Sequence, residues 1–109
     1  MHLIRPPLLL FLLLLTGCVI HERAEGILEL DPDLTNGLAL YQADCDRCHG
    51  EDGRGSDSGP NIVTELHHGD AYFVTQILNG VGAEMPAYDD YTDQEAADVL
   101  GHIHALADQ

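Results

Sequence analysis

Cys45-Asp46-Arg47-Cys48-His49 is the stretch on which the reading of this chain turns. The chain has three cysteines, and with Cys18 far upstream, Cys45 and Cys48 form the one close pair. Cys-x-x-Cys-His is the pattern of covalent c-type haem attachment. Its spacing has a physical reason: two thiols three residues apart reach the two vinyl groups on one side of a porphyrin, and the adjoining imidazole of His49 then lies beneath the iron as its proximal ligand. Three other uses of the same residues fit less well. A dithiol redox motif needs a βαβ setting, which the chain does not show. A zinc site needs a second Cys pair or paired His at ligand spacing. A disulfide across two intervening residues closes too small a loop to constrain much.

Around this motif the chain is short and acidic. Its 109 residues leave room for one small domain, and its 19 Asp and Glu face 4 Arg and no Lys, a net charge of −15. Such a surface repels phosphate backbones and anionic head groups, so a basic patch for nucleic acid or membrane lipid is not expected.

Upstream, one positive charge at Arg5 is followed by the unbroken apolar run Leu8 to Leu15 and then by Thr16 and Gly17. This is the layout of a secretory signal, and the run is shorter than the roughly 20 residues that span a bilayer. Leu15-Thr16-Gly17-Cys18 resembles the lipobox of bacterial lipoproteins. The resemblance implies removal of residues 1–17 and a lipid-modified Cys18, which would tether the protein to a membrane. Without residues 1–17, which hold Arg5 and no acid, three arginines face 19 acids, a net −16. Residues 18–33, with five acids, one proline and one glycine, read as a solvated acidic tether. The domain then occupies 34–109, and its 73-residue folding unit, Leu34 to Leu106, is small enough to need a cofactor for a sufficient core.

Within that unit the pattern is all-α. Thr35 or Asn36 is placed to cap a first helix ending near Cys45 and carrying Leu38, Leu40 and Tyr41. Gly50, Gly53, Gly55, Gly59 and Pro60 mark a loop suited to wrapping a flat group. Asp70 is placed to cap a second helix bearing Ala71, Phe73, Val74, Ile77 and Leu78, stopped by Gly80. Thr92 and Glu95 form a capping box for a last helix with Ala96, Val99, Leu100, Ile103 and Leu106 on one stripe. Nothing in the pattern requires a sheet.

Gly37 to Tyr41, the run Cys45 to Gly55, Gly59-Pro60-Asn61 and Met85-Pro86-Ala87-Tyr88 fall in the order found in small monohaem cytochromes c of the class with His and Met ligands. The chain resembles that family over essentially Leu34 to Leu106. The resemblance implies a cytochrome c fold of three or more helices around one covalent haem. It also implies His49 and Met85 as the axial iron ligands, and Pro60 as the carbonyl that accepts the hydrogen bond of the other His49 ring nitrogen. Met85 is the one methionine after Met1 and lies 36 residues beyond His49, on a loop bounded by Gly80, Gly82 and Pro86. The rival distal ligands are His67, His68, His102 and His104. In the family a small residue of the first helix meets an aromatic of the last; here Gly37 matches the small partner and His102 stands at the aromatic position, expected to pack as a neutral ring on Gly37.

Two filled axial positions leave no open site for oxygen or peroxide, so the expected function is electron transfer without substrate chemistry of its own. A relay subunit fixed on a larger respiratory oxidoreductase and, further off, a peroxidase-type or gas-sensing haem protein are the other readings. Asp44, Asp46, Glu51 and Asp52 near the motif, with Glu84, Asp89 and Asp90 near Met85, are expected to surround an exposed haem edge and favour a redox partner with a basic docking face. The competing account of these acids is a surface adapted to high salt. The exported, lipid-anchored protein is expected to face the periplasm, with Val19 after Cys18 favouring the outer over the inner membrane, or the outer cell surface.

Overall fold

A computed structural model describes residues 22–109, which are helical and, within that range, contain no strand. The signal segment and Cys18 lie outside the described residues. In chain order the elements are α1 (residues 22–28), α2 (Leu34–Asp44), α3 (Asp46–His49), α4 (Ile62–Glu65), a single 3₁₀ turn (Leu66–His68), α5 (Asp70–Asn79) and α6 (Asp93–Ala107).

α6 is the axis of the fold. Thr92 Oγ1 accepts the Glu95 N–H at 3.1 Å while Glu95 returns a carboxylate oxygen to the Thr92 N–H at 2.9 Å, the reciprocal cap its sequence predicts. The expected stripe of Ala96, Val99, Leu100, Ile103 and Leu106 is buried, and α2, α4 and α5 all pack on this helix. In α5 Phe73, Val74, Ile77 and Leu78 are buried, and Gly80 ends the helix at φ 75°, a conformation that costs glycine no Cβ strain.

Where α2 crosses α6, a Cβ added to Gly37 would lie 2.0 Å from the carbonyl oxygen of Asp98 and 3.2 Å from the His102 Cβ. The small residue is needed as expected, but it is mainly the α6 backbone that it admits. The His102 ring lies half-buried against Tyr41, with centroids 5.1 Å apart and planes at 53°, and burial holds it below the usual histidine range.

Three sequence expectations need correction. The cap of α2 is Asp33, whose carboxylate accepts the Asn36 N–H at 3.1 Å; Thr35 and Asn36 are already helical. Asp70 is the first residue of α5, not its cap, and pairs with His104 of α6 at 2.8 Å. Residues 22–33 are not a solvated tether. Ile27 is fully buried and Ala24 nearly so, Arg23 bonds Asp93 at 3.0 Å, and Gln94 donates to the Asp31 carbonyl at 2.9 Å. The short Ile27, Leu28, Leu30 cluster is therefore a docking signal: about two turns of helix bury Ile27 and Ala24 and salt-bridge α6, a pattern too brief for periodicity to reveal.

α2 is held to α6 by a buried carboxylate. Asp98 is 1% exposed, and accepts the Asp33 N–H at 2.7 Å, the Asn36 amide at 2.9 Å and the Gln94 amide at 2.7 Å. Burial alone would raise its pKa; these three donors outweigh that and hold it below the usual carboxylate range.

Candidate haem-attachment site

Cys45 ends α2 and Cys48 and His49 lie on the single turn of α3, so the helical backbone puts both thiols and the imidazole in one small region. Both cysteines are unpaired and half-buried. Burial, reinforced by the Asp44 charge, pushes the free Cys45 thiol up to about 12. His49 is 8% exposed, and its Nδ1 lies 2.9 Å from the Pro60 carbonyl oxygen. Because that carbonyl can only accept, the proton resides on Nδ1 and the lone pair is left on Nε2, the tautomer that a metal ligand requires.

The loop from Gly50 to Asn61 is pinned to reach this position. The Gly55 N–H donates to the His49 carbonyl at 2.8 Å, Ser56 Oγ donates to the Cys48 carbonyl at 2.7 Å, and Tyr41 Oη donates to the Gly50 carbonyl at 2.5 Å. Gly59 must be glycine for space: a Cβ there would lie 2.7 Å from the Cys48 carbonyl oxygen and 3.2 Å from His49 Nδ1. Gly59→Ala should therefore displace the Pro60 carbonyl and cost the haem-loaded protein roughly 1 to 3 kcal/mol. Denaturant unfolding, with the exchange rate of the His49 Nδ1 proton, measures this; wild-type values for both would contradict it.

Met85 stands on a separate turn. Val81 and Met85 exchange backbone hydrogen bonds at 3.1 and 3.2 Å, and a Cβ on Gly80 would fall 2.7 Å from the Met85 carbonyl oxygen. The segment that follows is bolted to the attachment motif by a feature sequence reasoning missed. Tyr88 Oη donates to the Asp44 carbonyl at 2.9 Å, and Tyr91 Oη donates to the Asp44 carboxylate at 2.6 Å, one residue before Cys45. Burial first, then the bond to Asp44, pushes the Tyr91 hydroxyl strongly upward, so it remains a donor. Only the tyrosines at 88 and 91, three residues apart after Met-Pro, hinted at this.

Of the four rival histidines, His67, His68 and His104 are engaged by polar partners, whereas His102 packs on Tyr41 with its Nε2 buried and without a hydrogen-bond partner. His67 Nδ1 lies 2.5 Å from the Thr64 carbonyl oxygen, His68 pairs with Glu65 at 3.2 Å, and His104 pairs with Asp70. Among the described residues no three His, Cys, Asp or Glu side chains converge to hold a metal ion. The acids divide as well. Asp44 is spent on Tyr91, while Asp46, Glu51 and Asp52 line an open cleft of about 580 Å³ with His102 and Leu106; Glu84, Asp89 and Asp90 are exposed beside Met85.

Paired thiols, a tautomer-fixed imidazole and an all-helical frame define a c-type cytochrome, a carrier built on covalent haem. The family described as cytochrome c oxidase, cbb3-type, subunit III matches residues 32–103, and the chain belongs to that family of cytochrome c domains. The chain is 30% identical over 81 residues to a cytochrome c-553-like protein of Synechocystis sp., covering 73% of this chain and 75% of that one. Cytochrome cL of Hyphomicrobium denitrificans has a similar fold, with a TM-score of 0.58 and 22% identity over 65% of this chain; the match spans 45% of that structure. The residues present fit the group: Cys45 and Cys48 would hold it by thioether bonds and His49 would ligate its iron. When bound, the haem supplies one-electron Fe(II)/Fe(III) chemistry, and the chain's residues fix its position.

Proposed function

We propose that this protein is an exported, lipid-anchored monohaem electron carrier in which His49 and Met85 are the axial ligands and Cys18 bears the lipid. The observation that carries the reading is the 2.9 Å contact from His49 Nδ1 to the Pro60 carbonyl, which leaves Nε2 as the ligating atom. Met85 supplies the sulfur: it sits on a turn tied through Tyr88 and Tyr91 to the residue before Cys45, so the two ligand-bearing segments move as one. A site filled on both sides and fixed in place reorganises little when its charge changes. The oxidised holoprotein should show the weak far-red sulfur-to-iron absorption band, and the reduced form should be indifferent to carbon monoxide. Met85→Ala should lose the band and bind carbon monoxide; a variant that kept the band would exclude Met85.

A relay subunit held on a larger oxidoreductase is the second reading, favoured by the description of the matched family as an oxidase subunit. Copurification with a large complex after mild membrane extraction distinguishes it from a free carrier.

Glu84, Asp89 and Asp90 are the exposed acids beside the Met85 turn and favour a partner with a basic face. The bimolecular electron-transfer rate with a basic redox protein should fall steeply as salt is added. A rate independent of salt would leave the acidity to high-salt adaptation. The periplasmic face of the outer membrane is the proposed location, from Val19 beside Cys18.

A further inference from the structure

We infer that α1 is an orientation clamp that turns the Cys45 corner of the domain toward the bilayer, where it meets a membrane-embedded redox protein with a basic rim. The inference rests on the reading of Cys18 as the lipid-bearing residue. Three residues separate Cys18 from Glu22, so the span between them is at most about 14 Å. A free tether of residues 18–33 would instead give a root-mean-square excursion of about 22 Å and let the domain tumble.

α1 removes that freedom. Ile27 and Ala24 are in the core, and Arg23 fixes the start of the helix twice, on the Asp93 carboxylate at 3.0 Å and on the Tyr91 carbonyl at 3.3 Å. The link from α1 to α2 is fastened too, by Gln94 on the Asp31 carbonyl and by the Asp33 N–H on Asp98. Tyr91, which receives Arg23 at its backbone, donates its hydroxyl to Asp44, and Asp44 is bonded to Cys45. From Arg23, one residue after the first described residue Glu22, to the attachment motif there are thus two side-chain steps. The lipid would enter at the corner of the molecule that holds the haem, not at its opposite pole. Glu84, Asp89 and Asp90 stand exposed on the same α5–α6 connection that carries Tyr88 and Tyr91, and they repel anionic head groups, so the surface that meets this connection is that of a basic protein, not lipid.

The test uses the full-length, lipidated holoprotein on phosphatidylcholine vesicles that carry head-group spin labels. Ferric haem should enhance the label's relaxation strongly in the wild type. A flexible Gly/Ser segment inserted between residues 21 and 22 leaves α1 in place and should weaken the enhancement several-fold. Arg23→Ala with Ile27→Ser, which releases α1, should do the same. In parallel, the ratio of reduction rates by a bilayer-confined quinol and by ascorbate should fall in both variants. Equal relaxation in wild type and insertion variant would overturn the clamp, whatever the fate of the double variant. Wild type that carries no lipid on Cys18 by mass spectrometry would overturn the anchor reading, and this inference with it.

Discussion

Gly37→Val should cost the haem-loaded protein about 3 kcal/mol or more, the upper end of overpacking penalties. The added Cβ alone would stand 2.0 Å from the Asp98 carbonyl oxygen and 2.7 Å from its carbon. A side chain in that position could rotate away; the backbone of a buried helix cannot, so α2 and α6 must separate. Separation also opens the contact between Tyr41 and His102 and loosens the two donors that Asp98 receives from the α2 side, the Asp33 N–H and the Asn36 amide. Thermal unfolding followed by far-ultraviolet circular dichroism measures the effect, and a wild-type melting temperature would contradict it. The nature of the obstacle has its own test: His102→Ala should not rescue Gly37→Val, because the atom in the way belongs to Asp98.

Asp98→Ala should be about as damaging, near 3 kcal/mol, because it leaves the Asp33 N–H and the Asn36 and Gln94 amides without their buried acceptor. For a domain of this size that corresponds to a fall of roughly 15 °C in melting temperature. Asp98→Asn keeps the shape and one acceptor, and should cost less. The charge adds a pH signature. The folded-state pKa of Asp98 lies below its ordinary 3.8, so its ionisation stabilises the fold above that value and the contribution is lost as pH falls through the lower, folded value. The stability gap between wild type and Asp98→Asn should therefore narrow as the pH is lowered from about 5 to 3. A gap constant over that range would mean that the carboxylate is not held by these donors.

The elements that sequence patterns identify well are those whose residues answer to a local rule. The capping box at Thr92 and Glu95, the stop at Gly80 and the apolar stripes of α5 and α6 depend on neighbours three or four positions away, and all are where the pattern puts them. The attachment motif is local in the same sense. What the pattern misses depends on distant partners. Asp98 sits in the middle of an apolar stripe, where a carboxylate looks misplaced until Asp33 and Asn36 arrive from α2. Asp44 looks like one more surface acid until Tyr88 and Tyr91 close on it from 44 and 47 residues away. The docking of α1 rests on Ile27 entering the core and Arg23 finding Asp93 of α6, and α4 is a single turn capped by Asn61, too short for any period to register. Composition reads such residues as surface charge, and only tertiary structure reveals their partners.

The crossing of α2 and α6 also closes a long loop. Gly37 and Asp98 are 61 positions apart, and closing a loop of that length costs about 4 kcal/mol of chain entropy before any contact returns it. Cys45, Cys48, His49 and Met85 all lie inside that loop. Once the terminal helices are paired, the methionine turn and the attachment motif are confined to one closed loop, and the span across which they must meet is shortened. A contact between α2 and α6 thus closes the loop that brings together the segments bearing Cys45, Cys48, His49 and Met85.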